Sequence, residues 1–228
     1  MLIKNSQRCS TAEGMTGQVK GHSAGGADIC SQLRQRPITQ EQLLAEVKGI
    51  FAGLEKVEAK CMEIDKKLAL HIRNGARAES KLNNMQWQAL IALHRTLLYE
   101  HHDFLLASQH PAATLELREL ALEHDIPARL WHHGVHSFLQ ILQQHLPASL
   151  DFLLAFLYLS YSMMTLLYET VPRFADTWVQ YLGDISQYIM ALEDDDSQDR
   201  EVWACNAHHW HSKICNTDSK CSTLCQEK

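Results

Sequence analysis

From Thr39 onward, apolar residues recur three and four positions apart at Leu43, Val47, Ile50, Leu54, Val57, Cys61, Ile64 and Leu68, the spacing of one face of a long helix. Thr39 followed three residues later by Gln42 has the form of a capping box, and Asn74-Gly75 has the form of a C-terminal stop. The region Ser80 to Asn84 opens a second long helix carrying Trp87, Leu90, Ile91, His94, Leu97, Leu98, His101 and Leu105, stopped at His110-Pro111. Thr114 caps a short helix to about Glu123. Pro127 belongs in the first turn of the next, ARLWHHGVHSFLQILQQHL, which Pro147 closes. Further helices are predicted from about Ser149 to Thr170, from Asp176 through TWVQYLGDISQYIMALE, and, after the acidic stretch Glu193 to Asp196, from about Gln198 to Ser212.

Residues 1–38 lack this periodicity and read as a disordered tail, so the folded domain is expected over residues 39–213, followed by a divergent, Cys-rich, unstructured tail over 214–228. Seven helical segments with short connections predict an all-α fold of antiparallel helical hairpins. The scarcity of Gly (10) and Pro (5) in 228 residues agrees with that class. The uncharged run FLLAFLYLSYSMMTLLY falls short of a bilayer span, has no flanking Lys/Arg cluster and reads as a central buried helix, so no membrane partner is expected.

A formal charge of −6 excludes a basic nucleic-acid glove, and Arg95, Arg118, Arg129 and Arg173 are scattered as on solvated faces. Seven cysteines with no apolar leader suggest a reduced, intracellular chain. His132 and His136 of HHGVH stand one helical turn apart, but His133 occupies the place where a metalloprotease carries its glutamate base. Glu100-His101-His102-Asp103 reads as a solvated face, because consecutive helix positions diverge. Cys205, His208, His209, His211, Cys215, Cys221 and Cys225 lack the spacing of closed zinc sites. With no nucleophile elbow, phosphate loop or dinucleotide fingerprint, neither catalytic residues nor a metal or cofactor is expected.

WVQYLGDISQYIMALEDDDSQDREVW, with ASLDFLLAFLYLSYSMMTLLYETVPRFADTW, LYEHHDFLLASQHPAA and PARLWHHGVHSFLQILQQHLP, resembles the fungal branch of the Ever Shorter Telomeres and nonsense-mediated-decay adaptor family. The resemblance covers about residues 85–213 and rests on Leu-Gly-Asp followed by Tyr188 and on Leu130-Trp131-x-His133. It implies an Est-type DNA/RNA-binding domain, 14-3-3-like and running into tetratricopeptide-type hairpins. Such domains can hold phosphoserine peptides with a Lys on the Leu-Trp helix and an Arg on the Leu-Gly-Asp helix. Those positions fall here on His136 and Gln187, with Tyr188 kept as a donor and Ile189 where many relatives place a second Arg. Gln187 is neutral and histidine is only partly charged near neutral pH, so a phosphate pocket would be weakened. Relatives continue into further hairpins where this chain turns to ICNTDSKCSTLCQEK, which reads as a truncated end leaving aromatic surface exposed near Val202, Trp203 and Trp210.

The resulting expectation is a non-enzymatic helical adaptor of telomerase-associated or mRNA-decay complexes. Its partners would be a protein or phosphopeptide and, in a weaker version, single-stranded DNA or RNA. The resemblance implies the nucleus; the sequence itself allows nucleus or cytoplasm. The alternatives are a His/Cys-rich metal-binding protein or hydrolase, and a degenerate remnant.

Overall fold

Thr39 and Gln42 close their capping box: the Gln42 amide donates to Thr39 Oγ1 at 3.2 Å, and the Thr39 amide donates to Gln42 Oε1 at 3.1 Å. Helix α1 (Gln40–Arg73) starts there. The structure, a computed structural model, describes residues 38–73, 82–193 and 197–226, with side chains of the last helix to Ile214. The expected tail before Ile38, the Asn74-Gly75 stop, the Ser80 start and the acids at 194–196 lie outside the described residues.

A second capping box, Asn83 with Gln86, opens α2 (Asn84–Ser108). Thr114 caps α3 (Leu115–Glu123) through the Leu117 amide. Asp125, at φ 50°, then turns the corner in the left-handed region, which Asp tolerates better than most side chains. Helix α4 (Ile126–Arg129), with Pro127 in its first turn, continues without a break through a π-helical segment (Leu130–His136) into α5 (Ser137–Gln144). Helix α6 (Leu150–Thr170) passes through a 3₁₀ turn at Pro172–Phe174 into α7 (Ala175–Leu192). Helix α8 runs Gln198–Gln226, well beyond the expected stop at Ser212 and through the segment expected to be an unstructured tail.

Among the described residues every regular element is helical, and the elements pack as an all-α bundle. Phe51 meets Phe104 and Asp65 meets His94, so α1 and α2 run antiparallel. Leu98, Phe104, Leu130, Phe138, Phe156 and Trp178 are wholly buried in the shared core, and the Trp178 indole donates to the Val171 carbonyl at 3.1 Å.

Helix α6 is long and apolar enough to cross a membrane by length and composition. Here 39% of its apolar window is buried, so the central buried helix expected is covered on one face only. Leu153, Phe156, Leu157, Met163, Met164 and Leu167 face inward, whereas Tyr158 and Leu166 are exposed on the opposite stripe. The expected exposure of α8 also needs correcting. Trp210 is buried and donates to the Tyr161 hydroxyl at 3.1 Å, and Trp203 packs half-buried against Tyr158 and Tyr161, leaving Val202 exposed.

A buried polar seam fixes the π segment against α1 and α2. Glu58 pairs with Arg129, and Asp65 accepts from the Ser137 hydroxyl at 2.6 Å. His94 stacks on Phe138 at 4.3 Å, with one ring nitrogen 3.2 Å from Asp65 and the other 3.3 Å from the Gly134 carbonyl. At Gly134 a Cβ would stand 3.1 Å from a Leu98 methyl, so a larger residue would require that methyl to give way by a few tenths of an ångström. Of the arginines expected on solvated faces, Arg129 is therefore largely covered. His101 and His102 are buried as well, contrary to the solvated face expected, because α2 turns Leu97, Leu98, His101, His102, Phe104 and Leu105 toward the bundle.

Candidate functional site

Two helices carry the residues that the family resemblance singles out. In a π segment the backbone bond reaches five residues back, as the Ser137 amide does to His132 O. The wider turn brings Trp131 and His136, five apart, to the same opening. On α7, Asp184, Gln187, Tyr188 and Ala191 stand at intervals of three, four and seven, hence on one face. The two faces border an open cleft of about 650 Å³ lined by Trp131, His136, Asp184, Gln187, Tyr188, Met190 and Ala191.

All three site residues expected from the sequence thus meet in one cleft, His136 and Tyr188 half-buried and Gln187 exposed. Ile189 does not. It is wholly buried in the core, so an arginine at this position would point away from the cleft. Sequence reasoning missed Trp131 and Asp184 as site residues. The helical spacing of Asp184 to Gln187 and Tyr188 was a usable signal, whereas the alignment of Trp131 with His136 depends on the π turn.

One wall is aromatic: Trp131 stacks on Tyr181 with ring centroids 4.5 Å apart and planes 7° from parallel. The other wall supplies charge. Burial raises the Asp184 carboxyl above its ordinary pKa, an effect that His211 partly offsets. Burial, and then the Asp184 charge, raises the Tyr181 hydroxyl. Behind this wall the His211 ring lies over Gly183, where a Cβ would come within 2.8 Å of it, so glycine permits the close approach of α7 and α8. The His211 Nε2 is buried without a hydrogen-bond partner.

Neither the π segment with α5 nor α7 contains a Lys or Arg, so the cleft walls offer a phosphate polar groups and one imidazole but no permanent cation. The geometry also bears on the metal alternative. His132 is exposed, and its ring centroid lies 6.5 Å from that of His136, with the planes nearly perpendicular. His208 and His209 face solvent while His211 turns inward, and among the described residues no group of three His, Cys, Asp or Glu side chains is placed to hold a metal ion. The side chains of Cys215, Cys221 and Cys225 lie outside the described residues. Comparison of the chain with protein-family models, with curated proteins and with solved structures finds no match.

Proposed function

We propose that the chain is a non-enzymatic helical adaptor that captures a segment of a partner protein in the cleft between the π segment and α7. The observation that carries this reading is the convergence of His136, Gln187 and Tyr188 with the Trp131 ring in one open cleft. An aromatic wall facing polar groups suits a peptide, whose side chains pack on the ring while its amides find donors and acceptors. The resemblance to the Ever Shorter Telomeres and mRNA-decay adaptors supports the same reading. It also suggests the kind of assembly served, a ribonucleoprotein or telomere complex in the nucleus, and a 14-3-3-like or tetratricopeptide-like arrangement of helices. Binding of DNA or RNA has less support, since the cleft walls carry no lysine or arginine among their aromatic residues.

Purified components of decay and telomerase complexes, titrated against the full chain, test the proposal. Saturable binding that Trp131→Ala and Tyr188→Ala each weaken is the expected result. Binding to none of them, or binding indifferent to both substitutions, overturns it.

A further inference from the structure

We infer that the cleft selects a basic side chain, a lysine or arginine of the bound segment, and not a phosphorylated one. This inference rests on the peptide-binding reading and adds the charge of the ligand. Asp184 is the one carboxylate in the lining; it is half-buried, and no side-chain hydrogen bond or ion pair to it is found among the described residues. His211 on α8 partly offsets the effect of burial on this carboxyl. A half-buried carboxylate with unused acceptor sites is a ready partner for an ammonium or guanidinium group, and a charge-assisted hydrogen bond is stronger there than in open water.

The rest of the lining favours the same ligand. Trp131 lines the cleft with one face of its indole stacked on Tyr181, and the faces of indole and phenol rings attract cations. Tyr188 and Gln187 can accept hydrogen bonds from a cationic head group. Beyond the lining, Arg200 donates to the Glu193 carbonyl at 3.3 Å and so caps the end of α7. His136 is the single lining residue able to carry positive charge, and a neutral imidazole accepts a hydrogen bond as readily as it donates one. A phosphate at this place would meet Asp184 with no lysine or arginine in the lining to offset the repulsion.

Degenerate nonapeptide pools that differ only in a fixed central residue, Arg, Lys, Gln, Ser or phosphoserine, provide the probe. Each is titrated by fluorescence anisotropy with the full chain and with Asp184→Asn, a substitution that leaves no partner unpaired. A melting curve verifies the fold of the variant. The Arg and Lys pools are expected to bind about tenfold more tightly than the Gln pool, the scale of one well-formed charge-assisted contact. Asp184→Asn is expected to reduce that preference to less than about twofold. Strongest binding of the phosphoserine pool, or an arginine preference that survives Asp184→Asn, overturns the inference and leaves the peptide-binding reading standing. Equal binding of all pools does the same. Absence of binding to every pool overturns both.

Discussion

His101 shows how a single buried group sets the conditions under which the bundle is stable. Its Nδ1–H donates to the Leu97 carbonyl at 2.9 Å, its Nε2 has no partner, and burial lowers its pKa from 6.5 to about 4. The nearby charges of Glu58, Arg129 and His133 modify this only secondarily. A base whose folded pKa is depressed favours folding fully above the unfolded value, and that contribution is lost as pH falls from about 6.5 to about 4. At 1.36 kcal/mol per pKa unit the loss is about 3 kcal/mol. Denaturant titrations at pH 7 and pH 4.5 are expected to show His101→Leu losing less stability than wild type across this interval; equal losses would contradict the assignment.

Cysteines give a second check at the same scale. Cys61 is wholly buried, and burial, with Asp65 and Glu58 adding to it, pushes its thiol up to about 12, while Cys205 is exposed. Iodoacetamide at pH 8 is expected to label Cys205 within minutes and Cys61 only on unfolding, as peptide mass spectrometry would show. His101 and His102 also show a limit of reading the sequence. In a run of four polar residues, only the helices packed on each side decide which ones face inward.

Among the elements, capping was the most legible feature. Thr39 with Gln42 and Thr114 with the Leu117 amide use local pairings whose chemistry is complete within four residues, whereas the Asn83–Gln86 box lay inside a start expected only somewhere in Ser80 to Asn84. The π segment was not legible, because nothing in LWHHGVH forbids an ordinary α-turn. Its wider turn is held from outside, by Glu58 on Arg129 before it and Asp65 on Ser137 after it. Deleting His132 would make both anchors compete for a shorter helix. The expected outcome is near-constant far-UV ellipticity, a weakened near-UV band from the Trp131–Tyr181 stack, and a lower melting temperature. Removing one anchor is expected to be costly in the same way. Arg129→Met leaves the Glu58 charge buried alone and should cost about 3 kcal/mol, most of it recovered when Glu58→Leu is added. A double variant no more stable than the single one would contradict this.

At the scale of the whole molecule, the all-α class followed from periodicity and sparse Gly and Pro, but the way the helices cover one another did not. The half-covered face of α6 and the extension of α8 past Ser212 depend on neighbours remote in sequence. The cleft was legible at His136, Gln187 and Tyr188 through the family resemblance, and its charge was not, because the meaning of Asp184 emerges only once both walls are seen to lack Lys and Arg. The central claim is that this cleft, and no other face, is the binding surface. The most direct measurement is isothermal titration of a tight-binding peptide from the arginine-centred pool into the full chain, into Tyr188→Ala and into Val202→Ala. Val202 lies exposed on α8, outside the cleft lining. Affinity at least about tenfold weaker in Tyr188→Ala and unchanged in Val202→Ala is expected, the scale of losing an aromatic contact at the centre of a small interface. Equal affinity in all three proteins would contradict the account.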